Sequence, residues 1–217
     1  RDGTYTENVN VNKEHLTLES ENGADSTIVQ AANPDDHVFE VTADYVEISG
    51  FAVKGVAELS KAGIYVYANY CNITNNIVSN NPYGIHLDSS SNSILTNNTV
   101  NSNLGDGIRL ISSSNNTIAN NTASQNDYGI YLWTSSNNTV TGNIADSNDI
   151  GGIWLSNWCS NNTLTNNTAS YNNFGIRLSA SNTNNTISGN TINSNRDCGV
   201  CLWTSNNNVL YLNNFGN

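Results

Sequence analysis

Residues Asn126 to Asp149 read NDYGIYLWTSSNNTVTGNIADSND. Within this stretch lie a Gly-Ile-x-Leu strand, an Asn/Ser turn, a Thr-Val strand, a Gly-Asn corner and a short apolar step. The same order returns on both sides of it. The glycine that opens the first strand recurs at Gly63, Gly84, Gly107, Gly129, Gly152, Gly175 and Gly199, with spacings of 21, 23, 22, 23, 23 and 24 residues. A period of this length marks a stacked repeat, in which each unit buries its apolar face only against its neighbours.

The second strand of each unit begins at Ile73, Leu95, Ile118, Val140, Leu164, Ile187 and Leu210. Three residues after each stands an asparagine: Asn76, Asn98, Asn121, Asn143, Asn167, Asn190 and Asn213. A second register of asparagines runs Asn81, Asn103, Asn126, Asn148, Asn172 and Asn195. Two fixed registers predict ladders at two corners, because asparagine tolerates left-handed backbone and stacked amides can bond coil to coil. Short alternating strands with closely spaced corners fit a coil of parallel β-helix. A leucine-rich repeat has a similar unit length, but its L-x-x-L-x-L consensus is absent and no segment carries a helical apolar period.

From GTYTENV at Gly3–Val9 through the Asn-Asn-Thr turns, the chain resembles the right-handed parallel β-helix repeats of the carbohydrate-binding and sugar-hydrolase group that includes the NosD-like proteins. It is most similar to the versions on methanogenic archaeal surfaces. The resemblance implies an all-β, pectate-lyase-like, single-stranded parallel β-helix. The glycine spacing makes about nine coils of it, as one domain over 1–217, with an opening coil in 1–36 and regular coils in 37–217. It implies an extracellular or cell-surface setting, and it brings to mind disaggregatase-type enzymes that break cell-binding matrix. The group mixes hydrolases, lyases, epimerases and inert spacers, so the fold alone does not assign an activity.

Composition narrows the partners. A net charge of −11 without a basic stripe excludes nucleic acid. There is no apolar run long enough to enter a bilayer. With three histidines, no methionine and no histidine cluster, neither the copper association of some NosD-like proteins nor any other metal or cofactor is expected. Both ends read as cut from a longer exported protein, and exposed coil ends or an exposed sheet would then favour a homo-oligomer.

Cys71 and Cys159 fall about four coils apart, roughly 19 Å at one strand spacing per coil, too far to bridge. Cys198 and Cys201 share one strand, where simple alternation sends them to opposite sides. Four free thiols are the expectation. The eight N-x-[ST] sequons, among them Asn72, Asn97, Asn115 and Asn137, coincide with the turn of the repeat and need no further reason.

If Ile and Leu of the Gly-Ile-x-Leu strand point inward, two columns point out. The first reads Glu40, Tyr65, His86, Arg109, Tyr131, Trp154, Arg177, Cys201. The second reads Thr42, Tyr67, Asp88, Ile111, Trp133, Ser156, Ser179, Trp203. The inward neighbours hold nearly constant while these columns vary, a pattern suited to recognition of an extended ligand. Aromatic faces stack on sugars and arginine or aspartate bonds hydroxyls and uronate carboxylates. Self-association or plain sheet cover would use the same residues.

Beside the columns lie Asp106, Asp127, Asp149 and Asp197, just before the glycines. Neighbouring coils about 4.8 Å apart would put adjacent carboxylates near the ~5 Å of a retaining glycosidase. Crowding would raise one pKa toward that of a proton donor, although aspartate is equally a turn residue. The expected function is cleavage of an acidic cell-envelope or matrix glycan by a glycoside hydrolase. Asp106, Asp127 and Asp149 are its acid, base or nucleophile. His86, Asp88, Arg109 and Arg177 hold the anionic sugar, and Tyr131, Trp133, Trp154 and Trp203 provide stacking surface. A non-catalytic binding or adhesive module is one alternative, and a uronate lyase with His86 as base and Arg109 and Arg177 at the carboxylate is another.

Overall fold

The computed structural model describes residues 1–216. The chain winds as a right-handed single-stranded parallel β-helix, the hand that parallel crossovers adopt. Its nine coils each contribute one strand to a front sheet, which runs from Val9–Val11 and Phe39–Val41 to Phe174–Ser179 and Cys198–Trp203. Nine more strands, from Thr17–Glu19 to Val209–Tyr211, form a back sheet. A third, five-stranded sheet from Gly3–Thr6 to Thr99–Val100 thins into single parallel bridges through Thr122, Ile144, Thr168, Thr191 and Asn214. No helix among the described residues is long and apolar enough to cross a membrane.

The repeat register holds from the first coil. Asn10 pairs with Glu40, Glu40 with Tyr65, and the column continues through His86, Arg109, Tyr131, Trp154 and Arg177 to Cys201. The opening segment is more regular than its sequence suggests. Its first residues supply two strands, Gly3–Thr6 and Val9–Val11, which enter different sheets. His15 takes a left-handed corner (φ 58°) and stacks on Tyr45, which stacks on Tyr70.

The core is a set of stacked apolar columns, such as Ile85, Ile108, Ile130, Ile153 and Ile176, all fully buried. Each such side chain contributes roughly 1.5–3 kcal/mol by leaving water. Between core and surface, every turn of the helix ends in a polar ladder. Both expected asparagine columns are present. Asn143 Nδ2 donates to Asn167 Oδ1 (2.9 Å) and to the Ile118 carbonyl (2.8 Å), while its Oδ1 accepts from Asn121 N and Nδ2. Left-handed backbone falls on the residue before each ladder asparagine, as at Asn97, Asn120 and Asn166, with Gly142 in the same place (φ 67°).

Two further ladders complete the corners. One begins Cys71, Ser93, Asn116 and continues in asparagine through Asn138, Asn162 and Asn185 to Asn208. The other runs Ser90, Ser113, Ser135, Cys159, Asn182, Ser205. Cys71 and Cys159 are thus ladder members, buried and free as expected. Burial pushes both thiols up, so their use is structural rather than nucleophilic.

Candidate functional site on the front sheet

A glycine step shapes the outer face of the front sheet. A Cβ at Gly129 would stand 2.7 Å from the Gly152 carbonyl oxygen and 2.8 Å from the Asn148 amide, so only glycine fits. Strict alternation is interrupted there. The residue before the glycine and the residue two after it therefore face the same way. Asp106 and Arg109 form an ion pair (3.1 Å), the rings of Tyr128 and Tyr131 lie 5.3 Å apart, and those of Tyr83 and His86 lie 5.8 Å apart. The same step corrects the cysteine expectation. Cys198 and Cys201 share a side, their Cα atoms are 6.1 Å apart, and they are joined in a disulfide.

A third outward column therefore precedes the glycines: Ala62, Tyr83, then Asp106, Tyr128, Gly151, Phe174, Cys198. The second column is placed as read, with Asp88, Ile111, Trp133, Ser156, Ser179 and Trp203 in register.

At the N-terminal end of this face, His86 sits between two tyrosine edges, Tyr65 (5.3 Å) and Tyr83 (5.8 Å), with Arg109 as its register partner. Burial, then the charge of Arg109, pushes the imidazole down to about 4, so it is uncharged at neutral pH. Nδ1 and Nε2 of His86 and Nε of Arg109 are buried with no hydrogen-bond partner. Tyr65 stacks on His37 (4.3 Å) and its hydroxyl donates to Asp88 Oδ2 (3.1 Å). Burial and Asp88 together hold that phenol protonated. Arg109 lies over the Tyr83 ring at 4.5 Å while bound to Asp106.

The acids do not share one column. Asp106 is inside the strand, paired in register with Tyr128 and only 4% exposed. Burial raises its carboxyl to about 7 despite the opposing pull of Arg109, with a further upward push from Asp127. Asp127 lies in the turn, its amide donating to the Gly105 carbonyl and its carbonyl accepting from Ile150 and Gly151. It is raised by burial and then by the charge of Asp149, which is itself exposed. The three carboxylates therefore sense one another in sequence, but only Asp106 reaches the His86–Arg109 cluster.

Farther along, Trp154 is fixed by its indole N–H donating to Ser179 Oγ (2.8 Å). Arg177 is flanked by three rings, with Cζ 4.1 Å from Trp154, 4.7 Å from Phe174 and 5.3 Å from Trp203. Trp133 and Trp203 are exposed. Sequence reasoning missed Tyr83, Phe174 and the hydrogen bond from Tyr65 to Asp88. The first two belong to the column that strict alternation hides, and their only signal was the aromatic residue before several of the glycines.

A family model described as a right handed beta helix region matches residues 43–215. Among curated proteins, none matches the sequence. Among solved structures, a periplasmic alginate epimerase superposes with a TM-score of 0.72 at 20% identity, over 87% of this chain and 50% of the epimerase. The A-module of the Azotobacter vinelandii mannuronan C-5 epimerase AlgE4 gives 0.66 at 14% identity, over 99% and 85%. The enzymatically active domain of bacteriophage CBA120 tailspike protein 2 gives 0.74 at 15% identity, over 98% and 38%. At these identities the likeness establishes the fold alone, and the chain spans about half the length of the alginate epimerase.

Proposed function

Because the chain belongs to the right-handed β-helix family, we propose that its front sheet acts on an acidic polysaccharide by removing the proton on the sugar carbon that bears the carboxylate. The observation that carries this reading is the pairing of an uncharged His86, whose two nitrogens have no protein partner, with an Arg109 whose Nε is equally unpartnered. A base poised in its neutral form beside a cation is what such a proton transfer needs. Arg109 would neutralise the uronate carboxylate as negative charge spreads onto it. A His86 nitrogen would accept the proton. From that enolate, breakage of the neighbouring carbon–oxygen bond, with a proton delivered to the departing oxygen, gives an unsaturated end. Return of a proton to the opposite face gives the epimer instead. Tyr65, held protonated against Asp88 with its ring 5.3 Å from that of His86, is our candidate to supply that proton.

The epimerase neighbours are named for alginate and mannuronan, both polyuronates, which agrees with a uronate chain as substrate and with an extracellular or periplasmic setting. A second reading rests on Asp106. A carboxyl raised to about 7, with Asp127 beside it, has the form of a glycosidase general acid. It is less favoured, because Asp106 is already engaged by Arg109, whereas the two His86 nitrogens have no protein partner.

The test is incubation with polymannuronate and polygalacturonate, following ultraviolet absorbance for unsaturated ends, reducing ends, and the epimer ratio. Unsaturation or epimerisation that is lost in His86→Gln supports proton abstraction. Reducing ends without either, lost in Asp106→Asn, support hydrolysis. Binding that none of these changes accompany leaves a carbohydrate-binding module and refutes the catalytic reading.

A further inference from the structure

The front sheet carries two arginines in one outward column, and their environments differ. Arg109 contacts Asp106 through Nη1 and leaves its Nε without a partner. Arg177 has no carboxylate or hydrogen-bond acceptor from the protein among the described residues, and its guanidinium is instead held between the faces of Trp154, Phe174 and Trp203. It lies at a shallow cavity of about 360 Å³ lined by Phe174, Arg177, Cys201, Leu202 and Trp203. Aromatic rings orient a guanidinium through cation–π contact while leaving its N–H edge free to bind an anion. Only two of the chain's 18 acidic residues form ion pairs among the described residues, Asp36 with Lys61 and Asp106 with Arg109. That Arg177 engages none of them, in so acidic a chain, leaves its fork open to a ligand.

The column order fixes the separation. His86 pairs with Arg109, Arg109 with Tyr131, Tyr131 with Trp154, and Trp154 with Arg177. Arg177 is therefore four strand spacings from His86, about 19 Å at roughly 4.8 Å each. A uronate chain laid across the strands with one sugar per strand spacing would span the two sites in about five sugars. Trp154, locked by Ser179, and the exposed Trp203 flank the path with ring surface.

From this spacing we infer that Arg177 and its three aromatic neighbours form a distal carboxylate subsite, which makes the protein select acidic chains long enough to reach from His86 to Arg177. This rests on the acidic-polysaccharide reading above and adds a length requirement to it. Arg177 does not touch the reacting carbon. Its effect is on which chains bind, and so on KM rather than on kcat.

The experiment is a binding series with oligomannuronates and oligogalacturonates of three to eight sugars, read by the fluorescence of the tryptophans beside Arg177 and by calorimetry. In the wild-type protein the affinity should step up by about tenfold, the scale of one charge-assisted bidentate contact, as length passes about five sugars, the length at which one sugar per strand spacing spans both sites. Arg177→Gln should abolish the step. Arg177→Lys, which keeps the charge but not the planar fork, should restore part of it. A smooth rise with length in the wild type, or a step that survives in Arg177→Gln, overturns the distal subsite. Failure of every oligomer to bind overturns the acidic-polysaccharide reading as well. The two failures are distinguishable, because a wild type that binds trisaccharide without a length step contradicts only the subsite.

Discussion

Asp106 and Arg109 stand three residues apart on one strand, yet their side chains meet on the same side of the sheet, Oδ2 to Nη1 3.1 Å. Gly107 makes this possible. It lies against the next coil where no Cβ fits, and the alternation of the strand slips by one position across it. The carboxyl keeps its proton up to about pH 7, since burial outweighs the arginine, so the contact is a hydrogen bond to a neutral acid below that pH and an ion pair above it.

That retained proton gives a pH signature. The unfolded carboxyl ionises near its ordinary value while the folded one holds its proton until about 7, so this group's contribution to stability is full in acid and is lost as pH rises between those values. Asp106→Asn cannot ionise. Its unfolding free energy from urea melts, relative to wild type, should therefore improve steadily between pH 4 and about 7, by a total of a few kcal/mol. A difference that stays flat across that range would mean that Arg109 keeps the carboxylate ionised.

His86 predicts the opposite slope. Its folded pKa, about 4, lies below the ordinary histidine value, so its contribution is complete above that ordinary value and is lost as pH falls toward 4. His37, buried and likewise lowered to about 4, acts in the same sense and remains in the variant. His86→Gln should accordingly lose less stability than wild type on acidification from pH 7 to pH 4, measured as paired urea melts. Equal losses would place the imidazole in water.

The asparagine ladders should be worth more than surface hydrogen bonds. Asn143 is fully buried and both donates and accepts along its column. Asn143→Ala strands the partners above and below, so it should destabilise by about 1–3 kcal/mol in urea unfolding. A change of only a few tenths would show that water replaces the amide at that corner.

Cysteine chemistry separates the two pairs. Denatured but unreduced protein should show two reactive thiols, Cys71 and Cys159, and reduced denatured protein four. Folded protein should show almost none, because both free thiols are buried. Four thiols without reductant would remove the disulfide.

Much of this architecture is legible in the residues. The glycine period, the inward Ile and Leu and the order of the outward column from Glu40 to Cys201 each follow from spacing alone, because one coil stacks on the next with a fixed register. Two asparagine ladders are visible because one residue type fills them throughout. The other two are hidden because serine, cysteine and asparagine exchange there, any short polar side chain being able to reach the next coil's amide. The site is less legible. Strict alternation separates Asp106 from Arg109, Tyr83 from His86 and Cys198 from Cys201, and only the crowding around the glycines brings each pair together. Nor does sequence distinguish an arginine bound to its own aspartate from one held open by rings.

The most direct test of proton abstraction is exchange with solvent. Wild-type protein is incubated with polymannuronate in deuterated water, and the hydrogen on the carboxylate-bearing carbon is followed by nuclear magnetic resonance. The account predicts loss of that hydrogen signal, with deuterium in epimerised sugars or unsaturated ends in cleaved ones, and neither in His86→Gln. Cleavage that yields reducing ends while every such hydrogen is retained would contradict it.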